Sequence, residues 1–239
     1  VLFEQSFLST NMPTGWLRAP GSNALAFVYQ AFMDEVAAAA GKDLPTLMLE
    51  LLAKTAQVSQ GANRPPFVTA RARGVIEKAL AMGGWANRTA LPKGQGKGFA
   101  FYYSHAGYFA EVVEVAVADG VPKVRTVWVA GDVGGHIINP INALHEVQGS
   151  VIEGLGQALA GQAITQVAGA IEQANFDTLP LQRIPDTPTI HVEFVKTDYP
   201  PTGLGEPALP PVIPALVNAI HAETGKRIRS LPVTAEMLV

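Results

Sequence analysis

The sequence predicts an α+β fold, in which a helical N-terminal segment is followed by a mixed or antiparallel sheet flanked by helices. Three observations carry that expectation. Apolar residues recur at helical spacing through the first third of the chain and again over 143–160 and 211–224. Between those stretches the period changes, and runs at 98–103, 108–118 and 123–130 are rich in Val, Phe, Tyr and Thr. An apolar content of 48 % against 15 % charged residues supplies a substantial core, since about 25 % charge is usual for a soluble domain.

The elements follow in order. Asn23 or Ser22 is a candidate cap for a helix over 24–40, whose Leu25, Val28, Phe32 and Val36 share one face and whose stop is Gly41. Asp43 caps a second helix with Pro45 in its first turn and Leu47, Leu51 and Leu52 pointing one way, giving a helical hairpin. After the loop Gln60-Gly61-Ala62-Asn63-Arg64-Pro65-Pro66, a third helix over 69–82 ends at Gly83-Gly84. The Pro/Gly/Lys-rich stretch 91–98 reads as a boundary or linker, dividing a helical segment at 1–97 from an α+β unit at 98–239. The three β-like runs make a meander, with Ala118-Asp119-Gly120 as a turn. A helix over 143–160 carries Val147, Val151, Leu155 and Leu159 at four-residue steps, together with Gly149, Gly154 and Gly156. Each glycine costs about 1 kcal/mol inside a helix, which points to close approach of backbone or cofactor. A strand over 188–196 precedes the last helix, which turns Val212, Leu216, Ala219 and Ile220 inward.

Composition removes several chemistries. With no cysteine, the chain has no disulfides, thiolate zinc site, iron–sulfur ligation or cysteine nucleophile of its own. A net charge of −3, from 17 basic and 20 acidic residues without blocks, lacks the footprint of a nucleic-acid binder. The five histidines form no H-x-x-x-H or H-x-H pair, so no metal site is expected here, and Ser104 before His105 has no G-x-S-x-G elbow. No apolar run reaches the roughly 18 residues of a membrane span. The low charge and the apolar–polar alternation of residues 1–7 read as a piece of a longer protein whose surface is partly covered by other polypeptide.

Three segments carry candidate chemistry. In Gly203-Leu204-Gly205-Glu206-Pro207, glycines allow a sharp approach and the proline restricts Glu206 to extended backbone ahead of a helix. The plainer reading is an acidic residue stabilised by the helix dipole. Gly131-Asp132-Val133-Gly134-Gly135-His136-Ile137-Ile138-Asn139-Pro140 is either an anion-binding nest or a tight turn in which Asp132 and Asn139 bond local backbone. It matches neither a P-loop nor a dinucleotide fingerprint. Pro13-Thr14-Gly15-Trp16-Leu17-Arg18-Ala19-Pro20-Gly21 holds a lone arginine, which in such a loop commonly binds a backbone carbonyl.

These segments, with Glu146-Val147-Gln148-Gly149-Ser150-Val151-Ile152-Glu153-Gly154-Leu155-Gly156 and Gln173-Ala174-Asn175-Phe176-Asp177, resemble in order the molybdenum-binding large subunit of the xanthine dehydrogenase and aldehyde oxidase family. The likeness is greatest to its isoquinoline 1-oxidoreductase and membrane-bound aldehyde dehydrogenase branch. It implies the C-terminal part of a subunit of a molybdenum hydroxylase that oxidises an aldehyde or N-heteroaromatic substrate with water-derived oxygen. By that resemblance Glu206 is the catalytic base and Arg18 lies near the metal, orienting substrate or supporting the base. Gly134, Gly135, Asn139, Gln148 and Gly149 line a molybdenum-pterin cofactor, shared with residues outside this chain. The implied partners are the rest of the large subunit, an iron–sulfur small subunit and, in some relatives, cytochrome c. The resemblance favours a bacterial periplasmic or membrane-associated location, since relatives of that branch often carry export signals, with the cytoplasm as the alternative. Two departures stand out: Glu146 and Glu153 occupy positions where many relatives carry glutamine. The reading from a different class is a non-catalytic scaffold domain in which Glu206 and Arg18 only cap and bridge.

Overall fold

In the computed structural model, which describes residues 14–62 and 64–238 with Glu4, Ser6 and Ser9, five α-helices surround one mixed sheet. Most of the 1–7 alternation, Pro13 and Asn63 lie outside the described residues. Helix α1 (Ser22–Ala39) is followed by α2 (Leu44–Leu51), where Asp43 accepts from the Thr46 N–H as expected of a cap. The short strands β1 (Gln57–Val58) and β2 (Phe67–Val68) pair across the 60–66 loop, and α3 (Thr69–Met82) has the predicted bounds. Strands β3 (Gln95–Ser104), β4 (Gly107–Ala118) and β5 (Val121–Asp132) form the antiparallel meander, so residues 95–98 of the glycine-rich stretch are already strand. Helix α4 (Pro140–Leu159) and the hairpin of β6 (Gln166–Val167) and β7 (Ala170–Ile171) lead to β8 (Thr189–Phe194). The sheet order is β3-β4-β5-β8, and β8 runs parallel to β5. A parallel neighbour needs a crossover, and the segment containing α4 is that crossover.

The final helix, α5 (Leu209–Thr224), is buried from Leu209 to Ile220 on every side rather than on the one face the periodicity predicts. It is sandwiched between α1, α4 and the β3–β4 face of the sheet. Gly98 makes that approach feasible: a Cβ there would strike the backbone of Ala215 and Ala219. The glycines of α4 resolve similarly. A Cβ on Gly154 would collide with Val212 of α5, one on Gly156 would meet Gln182 at 3.4 Å, and Gly149 has only Arg18 Nη1 at 3.6 Å. Helix α4 also starts three residues earlier than its apolar period indicates, because Asn139 caps it through the Asn142 N–H and Pro140 suits the first turn.

Helix α1 departs most from expectation. Its Leu25, Val28, Phe32 and Val36 are exposed, whereas Ala26, Gln30 and Ala37 face inward. The cause is the edge of the sheet: Gln30 Oε1 accepts from the Phe101 N–H of edge strand β3, and small residues let α1 lie close to α5. Neither Ser22 nor Asn23 caps the helix. Gly21 precedes it with φ 70°, and the Asn23 amide instead donates to Gln157 Oε1 of α4 at 2.7 Å.

Two apolar layers result. One packs the sheet against α4 and α5, the other packs its opposite face against α2 and α3. Within the first sits Glu111 of β4, fully buried, with both carboxylate oxygens unpartnered. Its cross-strand neighbours are Ala100 and Val129. Burial pushes its pKa well above the ordinary value. Because the folded state holds a proton that the unfolded chain releases above about pH 4.3, stability falls as pH rises from there towards the folded pKa. Glu111→Leu is expected to stabilise the chain by about 1–3 kcal/mol at pH 4, by removing an unpaired polar group, and by more at pH 8. Urea unfolding at the two pH values measures this; an advantage that does not grow with pH would contradict it.

Candidate active site

One end of the sheet brings together the 131–140 turn and the segment that follows β8. Ser104 pairs with Gly107, Tyr108 with Asp132 and Gly131 with Phe194, so the ends of β3, β5 and β8 and the start of β4 lie together. The 131–140 turn and the loop after β8 are joined there. Thr202 N–H donates to Val133 O at 3.0 Å, Gly135 N–H to Tyr199 O at 3.0 Å, and Val195 N–H to Gly131 O at 2.8 Å.

Beneath the turn, Asp132 accepts both nitrogens of a bidentate contact from Arg71, Nε at 2.7 Å and Nη2 at 2.7 Å. Asp132 Oδ1 also receives the Gly134 N–H and the Thr197 hydroxyl, each at 2.9 Å. The Arg71 guanidinium is stacked 4.4 Å from the Tyr108 ring centre and 4.6 Å from that of Tyr199. Burial works against the Arg71 charge, but the hydrogen bonds and attraction of Asp132 outweigh it and hold the arginine above its usual range. The group fastens α3, β5 and the 195–200 segment to one another. Sequence reasoning missed Arg71, although it stands next to Ala72 and one turn before Val75, both of them buried.

The glycines of the turn serve this packing. A Cβ on Gly134 would strike the carbonyls of Tyr199 and Pro200, and one on Gly135 would approach Thr197 O to 2.6 Å. Their N–H groups are spent on Asp132 and Tyr199, and Asn139 Oδ1 on the α4 cap. The anion-nest reading thus loses its two glycine donors, and Asp132 and Asn139 do bond local backbone.

Arg18 reaches three partners. Its Nε donates to Gly205 O at 2.6 Å, Nη1 to Glu153 Oε2 at 3.0 Å and Nη2 to Glu146 Oε2 at 3.1 Å. The carbonyl expected for a lone loop arginine is therefore that of the residue just before Glu206. Glu146 and Glu153 are the ion-pair partners of this arginine, which clamps the 203–207 loop onto α4. Glu206 itself is partly exposed, and its Oε2 lies 3.0 Å from His105 Nε2 at the β3–β4 turn. Gln148 is half-buried and Gly149 adjoins Arg18.

The chain matches the molybdopterin cofactor-binding domain family over residues 20–188 and belongs to it. Among curated relatives it is 30 % identical over 230 residues to a membrane-bound aldehyde dehydrogenase (pyrroloquinoline-quinone) of Gluconacetobacter polyoxogenes, covering 92 % of this chain and 29 % of the relative. It is 29 % identical over 221 residues to the beta chain of isoquinoline 1-oxidoreductase from Brevundimonas diminuta, covering 91 % of this chain and 26 % of that relative. With a nicotinate dehydrogenase subunit of Pseudomonas putida the identity is 28 %, over 92 % of this chain and 19 % of the relative. The chain thus spans 19–29 % of the length of these relatives. Among solved structures, quinoline 2-oxidoreductase from Pseudomonas putida 86 aligns with 55 % of this chain and 18 % of its own, at TM-score 0.49 and 23 % identity.

The residues at this end of the sheet fit a hydrogen-bonding cofactor on one wall. Thr202 Oγ1 and Ser104 Oγ are buried without a partner, and a Cβ at Gly203 would meet nothing within 4 Å. Unspent polar atoms beside an open glycine are what a docked polar group uses. Among the described residues no group of three His, Asp or Glu side chains could hold a metal ion directly, and no helix is long and apolar enough to cross a membrane.

Proposed function

We propose that this chain supplies the base-bearing wall of a molybdenum hydroxylase site, in an enzyme that oxidises an aldehyde or an N-heteroaromatic compound. The observation that supports this most is the convergence of the Glu206 loop, Arg18 and the start of α4 at one sheet end, in a chain of the molybdopterin cofactor-binding family. When bound, the molybdenum-pterin group supplies the oxygen that is transferred and accepts two electrons from substrate. Glu206 takes up a proton at its carboxylate, for which a loop-held, partly exposed carboxylate side chain is suited. Arg18, with all three of its nitrogens engaged, holds the peptide ahead of Glu206 and acts by positioning that loop. Gln148 and Gly149 line the cofactor from α4, while Gly134, Gly135 and Asn139 shape the neighbouring wall.

The substrate and the remaining cofactor contacts come from the rest of the large subunit. Electrons leave to iron–sulfur clusters held outside these 239 residues, which contain no cysteine, and the proposal places them in a partner subunit; two of the relatives carry names of subunits. Cytochrome c is the further electron carrier in the same proposal. Metal and pterin analysis of the purified full-length protein tests the reading. About one molybdenum and one pterin per large subunit are expected, whereas a scaffold domain carries neither.

A further inference from the structure

The β3–β4 hairpin turns through two residues, His105 and Ala106, between the paired Ser104 and Gly107. A turn of this length needs left-handed backbone, and Asn-Gly is the sequence that adopts it at least cost. Here φ is 51° at His105 and 61° at Ala106, so two side-chain-bearing residues occupy a region that disfavours them. Backbone held in such a region gathers where a side chain is needed for chemistry. The tip is also seated against the base-bearing loop, because a Cβ on Gly107 would lie 2.9 Å from Pro207 Cγ. From that seat His105 Nε2 lies 3.0 Å from Glu206 Oε2, while Glu206 Oε1 has no hydrogen-bond donor among the described residues.

We propose that His105 is a positioning residue for Glu206: its Nε2 edge, 3.0 Å from Oε2, makes a polar contact that fixes the carboxylate plane and presents Oε1 as the oxygen that accepts the proton. The strained turn is retained because only residue 105 places an imidazole over the loop. This rests on Glu206 being the base. Among the described residues Glu206 makes no other histidine contact, and Arg18 touches the loop through the Gly205 carbonyl rather than the carboxylate.

The test uses the intact, cofactor-loaded enzyme and begins with Glu206→Gln. If that variant keeps more than a tenth of wild-type turnover, the base reading falls and this proposal with it. Where Glu206→Gln is inactive, His105→Asn is read next, since asparagine tolerates the left-handed turn but ends too short to reach Oε2. Its kcat is expected to fall 10–100-fold with KM within twofold, while Tm stays level or rises. In its crystal structure the Glu206 carboxyl should be rotated from its present orientation. His105→Gln, whose amide nitrogen sits about where Nε2 does, should recover kcat to within threefold of wild type. Ala106→Gly relieves the same turn without touching Glu206, and should raise Tm with unchanged kcat. A less than threefold loss in His105→Asn overturns the proposal while leaving the base reading intact. Equal losses in His105→Asn and His105→Gln, or a comparable loss in Ala106→Gly, overturn it as well, because each assigns the effect to the turn rather than to the contact made by Nε2.

Discussion

Asp132→Ala is expected to destabilise the chain by about 3–5 kcal/mol, because it leaves the buried Arg71 guanidinium without a counter-ion. Arg71 is 6 % and Asp132 0 % exposed at the side chain, so water cannot replace the lost carboxylate. The same substitution orphans the Gly134 N–H and the Thr197 hydroxyl, each of which now donates to Asp132. Stacking on Tyr108 and Tyr199 does not compensate, since a ring face attracts a cation by only about 0.5–2 kcal/mol. Equilibrium urea unfolding measures the loss. The double variant Arg71→Met/Asp132→Ala should recover part of it, as removal of both charges abolishes the unpaired one. A single-variant loss below 1 kcal/mol would show that the pair does not anchor the turn.

Much of the architecture was legible because local signals and tertiary packing agree. The meander is bounded by real turn chemistry at Asp119-Gly120, and α3 by its apolar period and Gly83-Gly84. The parallel placement of β8 was not legible, since strand composition is silent about which edge a strand joins. Helix α1 misled for a physical reason: its best apolar face is exposed, and its contacts to the fold use alanines and a glutamine that answers the free N–H of an edge strand. Helix α5 has no polar face to reveal which side is outward, and the structure buries it all round.

The site divides in the same way. Glu206 and Arg18 stand out in sequence because glycine and proline surround them, and the structure brings Arg18 to the Glu206 loop. Their partners do not stand out. Arg71 and Asp132 are 61 positions apart, and Arg18 lies 128 from Glu146 and 135 from Glu153, so no local pattern links them. Arg18 binds both the Glu146 and the Glu153 carboxylates, a pairing that their positions in the sequence do not announce. His105 left one trace: His-Ala where a two-residue hairpin favours Asn-Gly.

On the proposed reading of Glu206 as the base, Glu206→Gln in the full-length protein is expected to lower kcat by about 10²–10⁴-fold, or about 3–5 kcal/mol of barrier, the range of general-base catalysis. Glutamine keeps the volume of the side chain, and its amide oxygen can keep the 3.0 Å contact with His105 Nε2, so the loop has no reason to move. The Arg18 contact is equally untouched, because it is made to the Gly205 carbonyl. What disappears is the ability of residue 206 to take a proton at neutral pH. Molybdenum content and Tm should therefore stay near wild type while turnover collapses, a combination that separates loss of the base from loss of the fold. Retention of more than a tenth of wild-type turnover would sink the assignment, since losing a group that accepts a proton in the transition state costs at least about 1.4 kcal/mol.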